Sequence, residues 1–206
     1  MRLLGHPSTI NSRKVLWTCV ELGLTPVCED WGGDSASPLD PVFLAINPKG
    51  LVPVWMEGDL ILTESNTICR YLAAREGRAD LLPADPAERA RVEGWMDWQA
   101  TELNGAWRHV FMGRVRNHRA FADARAQEAS AAEWNRLMAL LDAHLATTGA
   151  FVTGAQFTLA DIVLALSTNR WEMTPMQRPD LPAVAAWMDR MADRPGFRLH
   201  CRNAIP

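Results

Sequence analysis

Hydrophobic and polar positions divide the chain into two parts with different periodicities. Over residues 1–77, short apolar runs alternate with amphipathic segments, which gives the order β-α-β-(α)-β-β-α. From residue 86 onward apolar residues recur at helical spacing and no strand is predicted. A stretch containing Pro83 separates the two patterns. The sequence therefore predicts an α/β domain at 1–77, a linker at 78–85 and an all-helical domain at 86–206.

Local signals mark the start of two helices in the second part. Asp85 precedes Pro86, the order expected of an N-cap and a first helical residue. Thr158 and Asp161 have the spacing of a capping box, with Asp in place of the usual Glu or Gln. We therefore expect Thr158 and Asp161 to serve stability rather than chemistry.

The most informative stretch is a predicted β-hairpin at residues 54–62 that leads into a helix. Pro53 precedes the hairpin and is a candidate for a cis peptide bond, which costs an X-Pro bond little. Glu64 and Ser65 open the helix, where a hydroxyl, free amides and the positive dipole end favour a carboxylate. Together these features predict a site for a small peptide with a free carboxylate.

Composition indicates which binding partners and which cellular compartment to expect. The hydrophobic fraction of 48% and charged fraction of 22% are ordinary for a soluble globular protein. The net charge of −3 gives no electrostatic argument for a nucleic-acid partner, and no apolar run reaches the roughly 20 residues of a membrane span. The four cysteines are scattered without a Cys-x-x-Cys pair, and no signal peptide is evident. A cytoplasmic protein with no nucleic-acid or membrane partner is expected.

The order of these motifs resembles the cytosolic glutathione transferases over nearly the whole chain. The resemblance implies a thioredoxin-like glutathione-binding domain, an all-α C-terminal domain, a homodimer and a role in detoxification. It also implies that the backbone of Val52, before Pro53, pairs with the cysteinyl part of glutathione, while Glu64 and Ser65 hold the γ-glutamyl end. Glutathione is then the co-substrate, and no metal is expected.

The loop before Pro53 offers one further candidate contact. Lys49 could pair with the glycyl carboxylate of glutathione, or it could be a solvated loop cation. Related patterns place a cation after the glycine, where this chain has Leu51, which we include among the residues expected to contact glutathione.

Glutathione chemistry requires a thiolate, and a free thiol with a pKa of about 8.5 is only a few per cent ionised at neutral pH. Candidate donors to the sulfur lie between the first strand and the first helix: Ser8, Thr9 and Asn11, with Ser12 in reserve. The same residue types are common helix N-caps, which is the alternative for each of them.

The pattern Thr-x-Asn-x-x-Lys-Val resembles a bacterial Nu-class-like group, in which a Thr and an Asn surround the glutathione sulfur. Counting back from Val15 as in Ser-type transferases leads to Thr9. The loop contains neither Tyr nor Cys. The resemblance therefore favours Thr9 and Asn11.

The second substrate is expected to be an apolar electrophile. Trp107 and Phe111 are candidate walls of its pocket, with plain packing as the alternative for each. The predicted function is a glutathione transferase whose thiolate attacks this electrophile. Two alternatives stay open: a glutathione-dependent disulfide-bond or peroxide reductase of the Nu-like type, and a non-catalytic glutathione-binding or regulatory module.

Overall fold

A computed structural model describes residues 1–33 and 36–206 of the chain. It divides into two compact units. The first contains residues 1–82 and 194–205, and the second contains residues 83–193 and Pro206.

The first unit is built on a four-stranded mixed sheet. The strand order is β2-β1-β3-β4, with β1 parallel to β2 and antiparallel to β3, and β3 antiparallel to β4. The α/β pattern predicted for this part is confirmed. In chain order its elements are β1 (Arg2–Leu4), α1 (Ile10–Leu22), β2 (Val27–Glu29), α2 (Pro41–Ile46), β3 (Val54–Glu57), β4 (Leu60–Thr63) and α3 (Ser65–Arg75).

Two packing arrangements organise the first unit. Helices α1 and α3 pack against each other. Elsewhere in the unit, the fully buried Phe43 of α2 packs with Leu4 and Val54. Because Val54 follows Pro53 directly, this core also fixes the loop that enters β3.

A C-terminal helix, α10 (Pro195–His200), belongs to this first unit. The ring of Phe197 packs edge-on against Trp17 at 5.7 Å between centroids, and the buried Arg13 donates to the carbonyl of Ile205 at 2.7 Å. The sequence pattern places residues 194–205 in the helical domain, whereas in the structure they pack with the first unit. Buried Trp17 and Arg13 on α1 find their partners in that segment. Residues 78–82 of the predicted linker also lie in the first unit.

The second unit is helical, as predicted. Its helices are α4 (Pro86–Trp98), α5 (Asn104–Ala106), α6 (Arg108–Arg114), α7 (Ala124–Thr148), α8 (Leu159–Met173) and α9 (Pro182–Arg190), with a π turn at Gln99–Leu103 and a 3₁₀ turn at Arg119–Phe121. None of the helices in the part of the chain that the structure describes is long and apolar enough to cross a bilayer.

The run of helical turns that begins at Pro86 is interrupted near Trp107. The hydroxyl of Ser130, on α7, contacts the carbonyl of Ala106 and accepts from the N–H of Val110 at 3.2 Å. A side chain inserted between a carbonyl and the N–H four residues later breaks the helical ladder. The break therefore depends on a contact from another helix, which sequence periodicity does not show.

The predicted capping interaction at the start of α8 is present. The buried carboxylate of Asp161 accepts from the N–H of Thr158 at 2.8 Å, from the N–H of Val152 at 2.9 Å and from the indole of Trp187 at 2.9 Å. One side chain thus connects the start of α8, the preceding loop and α9.

Candidate functional site

A small pocket in the first unit, with a volume of about 80 Å³, brings together seven of the predicted site residues. Three elements contribute to it: the N-terminus of α1, the loop into β3, and the turn from β4 into α3. The predicted residues that line it are Asn11, Lys49, Leu51, Val52, Pro53, Glu64 and Ser65, and it is completed by Asn47 and Thr63.

The loop into β3 is held by a residue that sequence reasoning missed. Asn47 is 2% exposed and donates from its side chain to the carbonyl of Leu51 at 2.7 Å, while its Oδ1 accepts from the N–H of Lys49 at 3.3 Å. The Val52–Pro53 bond is cis, as the sequence predicts. The sequence signal for this role of Asn47 was the Asn-Pro-Lys-Gly run, because the side chain of an Asn in a turn commonly hydrogen-bonds to the backbone of the residue two positions later.

The turn into α3 has an unusual backbone. Glu64 has φ of 68°, in the left-handed region that a residue with a Cβ seldom adopts. Such strain is frequent at ligand-binding positions, where the surrounding structure maintains it. Ser65, the first residue of α3, is 8% exposed. The hydroxyl and first amides of this 11-residue helix therefore form one end of the pocket.

Lys49 and Glu64 contact each other across this end of the pocket. The ammonium of Lys49 lies 3.0 Å from Oε1 of Glu64 and 3.5 Å from the hydroxyl of Thr63. Both charged side chains are more than half exposed, so water weakens their attraction. The pair is therefore free to exchange its mutual contact for a charged ligand.

Asn11 is the one predicted sulfur donor that lines the pocket. Its Oδ1 accepts from the hydroxyl of Ser65 at 3.3 Å, which connects α1 to the start of α3. Within residues 1–33 and 36–206 the two N–H donors of its Nδ2 have no hydrogen-bond partner. The amide thus has donor capacity available for an acceptor in the pocket.

Ser8 and Thr9 lie outside the pocket lining and bond within their own loop. Thr9 is the N-cap of α1, and its hydroxyl oxygen accepts from the N–H of Ser12 at 3.3 Å. It also lies 3.0 Å from the carbonyl of His6 and 2.7 Å from the fully buried hydroxyl of Ser12. The hydroxyl of Ser8 contacts Nδ1 of His6 at 2.6 Å. The N-cap alternative is thus realised at Thr9.

The protein's own buried cysteines are poor nucleophiles. Burial raises the pKa of Cys69 to about 11 and that of Cys19 to about 12. A thiol with so high a pKa is almost wholly protonated at neutral pH. No cysteine is found among the described residues that line the pocket, so the pocket itself supplies no thiolate.

In the second unit the two predicted wall residues differ in exposure. Phe111 is 2% exposed and lies under the guanidinium of Arg170, whose central carbon is 4.3 Å from the ring centroid. Trp107 is partly exposed, and its indole donates to Oδ1 of Asn104 at 2.9 Å. Phe111 therefore fits the packing alternative, and only Trp107 offers surface to a ligand.

Comparison with known proteins gives consistent matches over both units. Residues 3–80 match the family described as "Glutathione S-transferase, N-terminal domain", and residues 123–190 match "Glutathione S-transferase, C-terminal domain". The chain is 39% identical to glutathione S-transferase GstB of Escherichia coli strain K12 over 95% of both chains. It is 33% identical to glutathione S-transferase 3 of Zea mays, over 96% of this chain and 91% of the maize protein.

A solved structure agrees with these relatives. The theta-class glutathione S-transferase of Xanthomonas axonopodis pv. citri, with glutathione bound, superimposes with a TM-score of 0.91 at 35% identity. The alignment covers 100% of this chain and 98% of that protein.

Proposed function

The chain belongs to the glutathione S-transferase family, and from that premise we propose that its small pocket binds glutathione and stabilises the thiolate for attack on an apolar electrophile. The observation that carries the proposal is the convergence of three features on one pocket. These are the free amide of Asn11, the Val52–Pro53 backbone and the hydroxyl of Ser65 at the start of α3.

The charged groups of glutathione match the charged and polar groups that line the pocket. The γ-glutamyl carboxylate would accept from the hydroxyl and amides of Ser65, where the helix dipole favours an anion. Its ammonium would contact Glu64, and the glycyl carboxylate would contact Lys49. The two side chains exchange an exposed ion pair for these contacts, so little desolvation opposes the change.

The sulfur would then lie between the Val52 backbone and the N-terminus of α1. The amide of Asn11 donates to the thiolate, and the hydroxyl of Thr9 is the second candidate donor. Each donor that bonds the thiolate but not the thiol lowers the thiol pKa, and one pKa unit corresponds to about 1.4 kcal/mol. A shift from about 8.5 to about 6.5 would change glutathione from a few per cent ionised to mostly ionised at pH 7.

In the transfer step the thiolate sulfur forms a bond to an electrophilic carbon of the second substrate. The leaving group departs with the electron pair of the bond that breaks, and the thiol proton has already passed to solvent. A homodimer is proposed as the assembly, which sedimentation velocity tests directly.

The second candidate is reduction of a disulfide or peroxide at the same pocket. The Thr9-x-Asn11 spacing favours it, because this pattern resembles the Nu-class-like group, in which disulfide-bond reductase activity is typical. In that reaction the thiolate attacks one sulfur of a disulfide, a mixed disulfide forms and the other sulfur leaves as a thiolate.

A paired assay on the purified protein separates the two candidates. One arm measures conjugation of glutathione to an aryl halide, and the other measures reduction of hydroxyethyl disulfide. Dominant conjugation supports the transferase proposal, and dominant reduction supports the reductase. Neither activity, together with no binding of glutathione, would contradict both and favour a non-catalytic module.

A further inference from the structure

The hydroxyl groups of Thr9 and Ser12 form a pair whose donors and acceptors can be counted. They lie 2.7 Å apart in the first turn of α1. Ser12 is 0% exposed, so its proton cannot go to water. Among the described residues, Thr9 is the only hydrogen-bond partner of the Ser12 hydroxyl. Thr9 has one proton but two possible acceptors, the carbonyl of His6 at 3.0 Å and the hydroxyl of Ser12 at 2.7 Å, so it can donate to only one of them. Leaving the buried Ser12 proton unpaired would be costly, so we assign Ser12 as the donor to Thr9 and Thr9 as the donor to His6.

The other hydrogen bonds of the Thr9 hydroxyl follow from this assignment. A hydroxyl has one proton and two lone pairs. The lone pairs accept from the N–H of Ser12 at 3.3 Å and from the hydroxyl of Ser12. The Thr9 proton is therefore left to donate elsewhere, and in the free protein it goes to the carbonyl of His6 at 3.0 Å.

The hydroxyl of Ser12 occupies space that a side chain at Gly5 would fill. A Cβ at Gly5 would lie 2.4 Å from Ser12 Oγ, a distance that real contacts do not reach. The same Cβ would lie 3.5 Å from Cβ of Pro53, a residue that lines the pocket. The absent side chain thus leaves room for a buried hydroxyl close to the proposed thiolate site.

We infer that Ser12 is a positioning residue for thiolate stabilisation: by donating to Thr9, it leaves Thr9 able only to donate, so Thr9 can bond a thiolate but cannot accept from a thiol. This inference rests on the proposed function. A donor that has itself accepted two hydrogen bonds is polarised and donates more strongly. A donor-only hydroxyl favours the ionised sulfur, because it gives a neutral thiol proton no acceptor.

The test is the pKa of the bound glutathione thiol, measured from thiolate ultraviolet absorbance across pH in wild type and Ser12→Ala. The variant is expected to raise this pKa by about half to one unit, since one weak hydrogen bond is lost. Turnover should fall about 3- to 10-fold below the pKa and recover at alkaline pH. Affinity for glutathione should stay within about 3-fold of wild type.

Thr18→Val is the matched control. Thr18 is also a buried hydroxyl on α1, donating to the carbonyl of Lys14 at 2.9 Å. The control should lose thermal stability without moving the thiol pKa. If Ser12→Ala moves only stability, as the control does, Ser12 has a merely structural role and the inference is wrong.

Two further variants keep the test open if Ser12→Ala fails to fold. Ser12→Cys retains a side chain of similar shape with a weak S–H donor and should give a smaller shift in the same direction. Gly5→Ala displaces the Ser12 hydroxyl and should reproduce the shift. Unchanged thiol pKa in the folded variants would overturn the inference.

Other titratable groups near the pair do not confuse the result. Nε2 of His6 lies 3.8 Å from the carboxylate of Asp30. Lys14, which lies on α1 with Ser12, donates from its ammonium to the side-chain oxygen of Asn66 at 3.3 Å. These groups are present in wild type and in the variants alike, so the difference between their pH profiles reports the effect of Ser12. If the wild-type protein does not lower the pKa of the bound thiol, both the proposed function and this inference are wrong. If the wild type lowers this pKa and Ser12→Ala lowers it equally, only the inference is wrong.

Discussion

At the scale of single residues, the two candidate donors to the sulfur, Asn11 and Thr9, differ in whether they already form other hydrogen bonds. The Nδ2 group of Asn11 has no partner in the described part of the chain, whereas the hydroxyl of Thr9 already caps α1. Asn11 can therefore bond a thiolate without giving up another contact. Thr9 must first release the carbonyl of His6.

Removing the amide of Asn11 should weaken thiolate formation. We expect Asn11→Ala to raise the bound thiol pKa by about one unit and to lower turnover at neutral pH about 10-fold. Asn11→Asp should have a larger effect, because it replaces the donor with a negative charge. The pH–rate profile is the measurement, with the surface variant Asn203→Ala as control. Profiles that superimpose for all variants would place the sulfur contact elsewhere.

Lys49 should affect glutathione binding rather than chemistry. Lys49→Ala is expected to raise the KM for glutathione about 3- to 10-fold, with little change in kcat, because the glycyl carboxylate is remote from the sulfur. The same variant should bind γ-glutamylcysteine, which lacks the glycine, as well as wild type does.

Arg2→Ala supplies a matched control, because Arg2 also forms an exposed ion pair, with Glu29 at 2.5 Å. Isothermal titration calorimetry with both peptides makes the comparison. If Lys49→Ala weakens both peptides equally, Lys49 does not contact the glycyl carboxylate.

At the scale of elements, features encoded by neighbouring residues could be predicted from the sequence. Asp85 caps α4 by accepting from two backbone N–H groups at 3.0 Å, and Asp161 bonds the N–H of Thr158. The β-hairpin could be predicted for the same reason, because its two strands and its turn are adjacent in the sequence. The break near Trp107 was not, since it depends on Ser130 from a separate helix.

Removing Asp161 should be costly because its carboxylate accepts from four buried donors: the N–H groups of Val152 and Thr158, the hydroxyl of Thr158 and the indole of Trp187. We expect Asp161→Ala to lower the free energy of unfolding by about 3 kcal/mol or more, the cost of several unsatisfied buried groups. The control is Asp142→Ala, whose carboxylate accepts one backbone bond, from Val184 at 2.9 Å, and which should cost about 1 kcal/mol. Urea denaturation measures both. Equal losses would show that the extra bonds of Asp161 contribute nothing.

Some residues of the candidate site could be predicted from the sequence and others could not. The Pro53 loop and the Glu64–Ser65 pair were predicted because each combines residue type with a position next to a turn or a helix start. Asn47 and the buried role of Ser12 were missed. Both act through contacts whose partners become visible only once the loop and helix are folded.

At the scale of the whole molecule, the segment 194–205 brings the end of the chain to the helix that begins at the candidate site. Burial, and then the charge of Arg13, lower the pKa of His200 to about 4. Because the folded pKa is below the unfolded value of about 6.5, the folded state prefers neutral His200. Its contribution to stability is therefore complete above about pH 6.5 and is lost as pH falls toward 4.

Replacing His200 should flatten this dependence. We expect His200→Gln to lose less stability than wild type between pH 7 and pH 4.5, by about 1 to 3 kcal/mol. Urea denaturation at both pH values gives the comparison, and the exposed His118→Gln serves as control. A wild-type slope that the His200 substitution leaves unchanged would assign the acid sensitivity to other groups.

The most direct test of the central claim is the pH titration of glutathione bound to the wild-type protein, followed by thiolate ultraviolet absorbance. A pocket that donates hydrogen bonds to the sulfur predicts a thiol pKa at least about one unit below the solution value of about 8.5. A bound thiol that still titrates near that solution value would contradict the assignment of this pocket as a thiolate-stabilising site.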